Sequence, residues 1–371
     1  MTESKKKAKK KSADFILLIT TVSLVFIGIV MVFSSSWPES MEKYGNGYFF
    51  LKKQLISAII GFVAMVATMN IKYHVYRRFA LPIYIFALLL GCLIFSPLGM
   101  EIKGATRWLD FGFTTFMPSD AIKLASIIFF AKFLTNKKEK IGTFLQGTIP
   151  ALLLIGLSCI LILVQPDLGT TVTLAATLIA MFYVAGARVF HLLGMGVGAG
   201  FFLYYAITSE GNEYRMERWT TFRDPFSDKL DSGWQIVQSL YALGSGGIFG
   251  LGLGKSRQKF FYIPEAYNDF IFSIIGEELG LLGTLLVLFL FLLLIWRGVI
   301  IAMKTEDLFG CYLASGITAL IAIQSLINIA VVTSSIPTTG ITLPFISYGG
   351  TSLLFYMAGV GILLNISRHT K

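Results

Sequence analysis

Charge is scarce in this sequence. Only 14% of its 371 residues are Asp, Glu, Lys or Arg, against roughly a quarter in an average soluble domain, which argues against a water-soluble fold. Cysteine is scarcer still. Cys92, Cys159 and Cys311 fall in three separate apolar stretches with no metal-ligand spacing, and read as small core residues. Histidine occurs only at His74, His191 and His369. All three fall on the side assigned below to the cytoplasm, leaving the opposite face without a histidine for a catalytic triad or a zinc site. No internal repeat is visible. No small-residue cleavage site cleanly follows the first apolar run, which is too long for a signal h-region, so no cleavable signal peptide is expected.

Apolar residues are what the chain has in abundance: 55% are hydrophobic and the mean hydropathy is +0.73. A helix rising ~1.5 Å per residue needs ~20 apolar residues to cross a ~30 Å hydrocarbon layer. Ten stretches meet or approach that length, at roughly 13–36, 50–70, 79–97, 119–135, 144–164, 168–186, 189–208, 270–296, 308–333 and 345–366. The runs are continuous rather than alternating, and backbone groups in lipid must be satisfied within the segment unless a barrel closes. The expected fold is therefore all-α, a polytopic membrane protein of about ten transmembrane helices. Residues 1–12 form a lysine-rich tail expected to be disordered, and 13–371 form a single membrane domain.

The distribution of Lys and Arg sets the expected orientation, because short cytoplasmic loops accumulate them. With both termini inside, most of the 31 basic residues are cytoplasmic: the tail lysines, Lys72, Arg77 and Arg78, Lys132 to Lys140, Arg188, Arg297, Lys304, Arg368 and Lys371. The net charge of +10 is then a topology and lipid-surface signal rather than a sign of nucleic-acid binding. Among the acids, all but Glu3, Asp14, Glu139, Glu306 and Asp307 fall on the outer face or in the outer halves of helices. Chemistry is expected to face outward. One connection is long, the outer loop between helices 7 and 8 from about 209 to 269, and loops of that length in a compact architecture are functional or disordered. Its aromatic content argues against disorder, and residues 233–243 have the spacing of an amphipathic helix suited to the membrane surface.

Four outer segments gather polar groups. The first runs from Gly104 through Arg107 and Trp108 to Pro118, Ser119, Asp120 and Lys123; Asp120 and Lys123, spaced i, i+3, can pair, and Ser119 or Asp120 can equally serve as an N-cap. The second, Gln165-Pro166-Asp167-Leu168-Gly169-Thr170, makes a tight turn in which Asp167 suits capping or binding. The third runs from Lys255 through Arg257 and Lys259 to Asp269, then Glu277 and Glu278. Three cations within five residues suit a pyrophosphate. A carboxylate at the junction of water and lipid is partly desolvated and so a stronger base, though Asp269 can also be a plain N-cap. Glu277 and Glu278 lie deeper, where structural hydrogen bonds are the expected role. The fourth, Pro337 to Ser352, has prolines and glycines that free backbone amides, which membrane depth tolerates only around a cavity; such amides favour an anionic ligand.

Together these segments resemble the SEDS family (shape, elongation, division and sporulation), most closely its FtsW and SpoVE branch. QPDLGT at 165–170, PEAYNDFIFSIIGEELG at 264–280 and TGITLPFISYGGTS at 339–352 occur in the family's order and spacing. The resemblance extends from the first helix to Arg368. It implies a GT-C-like glycosyltransferase fold in the bacterial cytoplasmic membrane, with its active site on the outer face. The implied activity is a peptidoglycan glycan-chain polymerase using lipid II, with a class B penicillin-binding protein and other division proteins as partners and no nucleic acid. By position, Asp269 corresponds to the essential carboxylate of the family, the base that would deprotonate the acceptor, while Arg107, Lys123, Asp167 and Ser347 fall on motif positions implied to bind substrate along the outer cavity. Arg218, Lys255 and Arg257, with a divalent cation such as Mg or Mn, would meet the departing pyrophosphate, and Lys123 would hold Asp269 ionised. Met117, Asp120, Ser334 and Thr338 depart from the usual Gln, Glu, Gly and Val. A lipid II flippase and a non-catalytic division scaffold are the alternatives; outward crowding of the acids favours the enzyme.

Overall fold

The computed structural model describes residues 12–102, 105–112, 115–209, 213–226 and 233–370; the expected basic tail lies outside them apart from Ser12. Twelve α-helices follow one another: α1 (Phe15–Tyr44), α2 (Phe49–Asn70), α3 (Tyr73–Cys92), α4 (Pro118–Asn136), α5 (Ile149–Leu163), α6 (Leu168–Val184), α7 (Val189–Thr208), α8 (Glu213–Arg223), α9 (Trp234–Ser245), α10 (Ile271–Lys304), α11 (Leu308–Val332) and α12 (Gly350–Ser367). Eight of the helical stretches are long and apolar enough to cross a membrane, so the chain is a multi-pass membrane protein. Two of the ten stretches marked in the sequence do not meet that measure. α6 has 17 residues, and α4 carries Asp120, Lys123 and Lys132.

Local chemistry explains the boundaries. Asp14 caps α1 by accepting the Leu17 amide at 3.0 Å, and Asp307 caps α11 through the Gly310 amide at 3.0 Å, each meeting an amide that the first turn leaves orphaned. Polar contacts between helices replace the hydrophobic drive that lipid removes. The Thr68 hydroxyl donates to the Ala358 carbonyl at 3.0 Å, and Asn365 both accepts from the Tyr73 amide at 2.9 Å and donates to the Met69 carbonyl at 2.8 Å, tying α2 and α3 to α12.

The bundle has two distinct ends. At one, Asp14 at the start of α1 pairs with Arg297 of α10, and its amide donates to Ser367 of α12 at 3.0 Å. At the other, here called the loop end, lie the far end of α1 and the described parts of the segment from 209 to 270. A small antiparallel sheet, absent from the all-α expectation, sits between α3 and α4: β1 (Gly99–Ile102), β2 (Ala105–Asp110) and β3 (Thr115–Phe116), in that order.

The amphipathic helix expected in the long segment is α9. α9 packs one face beside the first turns of α10, with Ile236, Val237, Ser239 and Ala242 buried, and leaves Tyr241 exposed. Ser239 Oγ lies 2.7 Å from Ser273 Oγ and donates to the Val332 carbonyl at 2.8 Å. Beyond α9 the chain turns and inserts into α10, which is broken at Gly280 (φ 66°). The break frees two carbonyls and two amides, and the inserted turn meets all four: the Leu251 and Gly252 amides donate to Glu277 and Glu278 at 2.9 and 3.0 Å, and the Leu281 and Leu282 amides donate to Gly247 and Ile248 at 2.9 and 3.2 Å. A Cβ on Gly280 would stand 2.3 Å from the Gly250 nitrogen, so the two backbones need glycine to approach this closely.

Candidate active site at the loop end

Sequence reasoning marked four separate segments, and the structure brings them together around residues 337–348. The first meets the second where Arg107, half-buried on β2, donates through Nε to the Gln165 carbonyl at 3.4 Å and through Nη2 to the Pro166 carbonyl. Gly104, of the first segment, lies outside the described residues. The second meets the fourth at Gly169, where a Cβ would lie 2.9 Å from the Thr339 carbonyl oxygen. Arg218 of α8 reaches the same stretch and donates to the Thr338 carbonyl at 2.9 Å.

The charged pair expected on α4 is formed. Lys123 Nζ lies 2.9 Å from Asp120 Oδ1, with both side chains almost wholly buried. Lys123 also donates to Gln324 Oε1 at 3.0 Å, and its ammonium lies 5.4 Å from the Tyr356 ring centre. The other Asp120 oxygen, Oδ2, is buried without a hydrogen-bond partner. Asp167 caps α6: one oxygen accepts the Thr170 amide at 3.0 Å and the other its hydroxyl at 2.8 Å. The capping reading thus describes its contacts.

Asp269 is half-buried two residues before α10 begins, with Phe270 between them at the N-cap. Its carbonyl accepts from Asn328 Nδ2 at 2.7 Å, and the same nitrogen donates to the Ile341 carbonyl at 2.7 Å. Gln324, one turn earlier on α11, donates to the next carbonyl of that loop, Thr342, at 3.0 Å. The ion-pair partner of Lys123 is Asp120, and Lys123 and the Asp269 backbone each bond to a carboxamide of α11, Gln324 and Asn328 respectively. Gln324 and Asn328 were not among the residues singled out in the sequence. Their signal was present, since two carboxamides spaced i, i+4 in an apolar helix mark a functional face.

The other candidates divide. Ser347 is buried and its hydroxyl accepts the Leu343 amide at 2.8 Å, which places it inside the turn of the fourth segment as a structural group. Of the three cations near 255, Lys255 and Arg257 are exposed, while Lys259 is buried and committed: its ammonium meets Glu278 at 2.8 Å, the Gly254 carbonyl at 2.7 Å and Ser34 at 3.1 Å. The expectation of three cations free for one anion is corrected to two, because burying an ammonium demands a partner charge. The deep acids are structural, as expected. Glu277 accepts from the Ser256 hydroxyl and the Arg257 and Gln258 amides, and Glu278 from Ser34, the Ser256 amide and Lys259.

Aromatic packing closes the loop end. The Tyr348 amide donates to the Tyr267 carbonyl at 2.9 Å, and both rings pack with Phe50. The Tyr267 hydroxyl donates to Glu39 at 3.1 Å. Burial, then the negative charge of Glu39 and Glu265, pushes this phenol well above its usual range, so it stays a donor. Beside the α4 ion pair lies an apolar cavity of 410 Å³, bounded by α3, α4, α12 and the sheet residue Phe116, with Ala121 and Leu124 in its wall.

Apolar helices that gather arginine, lysine and aspartate at one end around an irregular loop define a multi-pass membrane protein with a polar site near the membrane boundary. The chain belongs to the Cell cycle protein family of FtsW, RodA and SpoVE, whose profile matches residues 15–371. It is 45% identical to the stage V sporulation protein E of Bacillus subtilis (strain 168) over 98% of this chain and 99% of that one. It is 42% identical to a probable peptidoglycan glycosyltransferase FtsW of Geobacter sp. (strain M18), covering 96% and 97% of the two chains. Its fold matches a chain from a peptidoglycan synthase complex that coordinates polymerization and crosslinking, with a TM-score of 0.80, 26% identity and coverage of 96% and 98%.

Proposed function

We propose that this protein is a peptidoglycan glycosyltransferase that polymerises lipid II into glycan strands during cell division. The observation that carries the reading is the convergence of the four polar segments on residues 337–348, with the half-exposed Asp269 tied to that stretch through Asn328. Asp269 takes the proton from the 4-hydroxyl of an acceptor GlcNAc as its oxygen bonds to the anomeric carbon of a donor MurNAc. The bond from that carbon to the lipid pyrophosphate breaks, the pyrophosphate leaves with the electron pair, and the centre inverts. One carboxylate suffices, because the leaving group is already ionised, unlike that of a glycosidase.

Arg107 lies on the side of the acceptor and donor sugars, Lys123 supports the site from beneath through Asp120 and Gln324, and Arg218, Lys255 and Arg257 meet the developing pyrophosphate charge. The apolar cavity beside α4 gives the first isoprene units of a polyprenyl chain a seat next to the charged pair. Among the described residues no three His, Cys, Asp or Glu side chains converge as a metal cage; a divalent cation such as Mg or Mn would therefore be held chiefly by the pyrophosphate oxygens. The loop end faces the outside of the bacterial cytoplasmic membrane, as the basic residues of the opposite end support. A single-pass transpeptidase of the class B penicillin-binding type is the expected partner within the division machinery.

Purified full-length protein, alone and with such a partner, is incubated with fluorescent lipid II, and products are resolved by size. Polymer from the wild type and none from folded Asp269→Asn supports the reading. No polymer from the wild type under either condition, or undiminished polymer from the variant, overturns it.

A further inference from the structure

We infer that Gln324 and Asn328 are positioning residues that fix the separation between Asp269 and Lys123, an assignment that rests on Asp269 being the base. A carboxamide in an apolar helix is costly unless its donors and acceptors are met. Both are almost wholly buried; the hydrogen bonds they make go to the functional segments, and Asn328 Oδ1 is left buried without a partner, so its amide hydrogens are what hold it in place. Asn328 donates both amide hydrogens, one to the carbonyl of Asp269 itself and one to Ile341. Gln324 donates to Thr342 and accepts from Lys123 and from the Tyr356 hydroxyl. The orientation of the Asn328 amide is fixed by chemistry, because two carbonyl oxygens can only accept and a flipped amide would set its own oxygen against them.

The arrangement is a ruler. Residues four apart on a helix are separated by about 6 Å along its axis. Consecutive carbonyls of the loop, Ile341 and Thr342, dock on consecutive rungs, so the loop cannot slide along α11 without losing both bonds. Asp269 hangs from one rung through its backbone and Lys123 from the other through its ammonium. A group meant only to pack the loop would need neither contact. Displacement of a reacting group by about 1 Å can cost on the order of a hundredfold in rate.

The test uses the full-length wild type, Asn328→Asp, Asn328→Ser and Gln324→Glu, assayed with lipid II for kcat and KM separately and across pH. Asn328→Asp keeps the shape but sets a carboxylate oxygen against two carbonyls, and Asn328→Ser, which shortens the group, serves if Asn328→Asp does not fold. The expected result is kcat lowered about 10- to 100-fold with KM within about twofold. The acidic limb of the kcat/KM profile moves in the Asn328 variants because the base shifts into different surroundings, and the assays are run below the lowered thermal midpoint that two unmet carbonyls produce. A folded Asn328 variant with wild-type kcat and an unmoved limb, or a loss confined to KM, overturns the positioning role alone. Wild type without polymer, or Asp269→Asn that still polymerises, overturns both this assignment and the enzymatic reading beneath it.

Discussion

Lys259 of the inserted segment and Glu278 of α10 form a buried ion pair at 2.8 Å, with Ser34 of α1 bonded to both partners. Breaking such a pair leaves an uncompensated charge in a region of low dielectric, at about 3–5 kcal/mol. Glu278→Gln is therefore expected to lower stability by that amount. The double variant Glu278→Gln with Lys259→Met should lose less than the sum of the single losses. Thermal or denaturant unfolding in detergent, treated as a double-mutant cycle, measures the coupling; strict additivity would contradict it.

The ion pair of Lys123 with Asp120 gives a second expectation. Asp120→Asn leaves the ammonium with the neutral Gln324 and the Tyr356 face, so it should destabilise by about 3 kcal/mol and reduce polymerisation. Asp120→Glu, which keeps the charge, should recover most of both. Comparing unfolding midpoints and polymer yield for the two variants checks it.

Gly280 admits no side chain. Gly280→Ala places a methyl group against the Gly250 nitrogen and the Ile248 carbonyl at a backbone angle that L-residues avoid, for a loss of about 2–4 kcal/mol. The inserted turn should lift out first. Limited proteolysis is expected to cut between 246 and 254 in the variant well before the wild type, and equal cleavage times would refute the insertion.

Tyr267 gives a pH expectation. Its phenol is raised in the folded protein, by burial first and then by Glu39 and Glu265, above the unfolded value of about 10. The protonated form is thus favoured by folding; the associated stability is complete below about pH 10 and declines as pH climbs towards the folded value. Tyr267→Phe should cost about 1–3 kcal/mol at neutral pH through the lost bond to Glu39, and the gap to the wild type should narrow in strong alkali. Unfolding midpoints from neutral to alkaline pH for both proteins would show it, and a constant gap would rule it out.

Much of this fold was legible because lipid imposes a simple rule: a helix must be long and apolar, and the sequence shows where. The motif segments were legible too, as clusters of charge and backbone-freeing residues at helix ends. Contacts across the bundle were not. Lys255, Arg257 and Lys259 look alike in one dimension, and only the fold shows that the third is bound to Glu278. The periodicity of α9 marks an amphipathic helix without saying which neighbour its apolar face meets. The sheet escaped because its strands are short, and β2 carries Arg107 and Asp110 among its six residues. Gln324 and Asn328 were hidden inside a run read for its apolarity.

The insertion at Gly280 also bears on biosynthesis. Residues 246–252 leave the ribosome before α10 does, so the partners for its interrupted backbone are already made when that helix enters the bilayer. Two orphaned carbonyls in hydrocarbon would each cost several kcal/mol. Release of α10 from the insertion machinery should therefore await the arrival of this preceding stretch, which makes the pair a single unit of membrane integration.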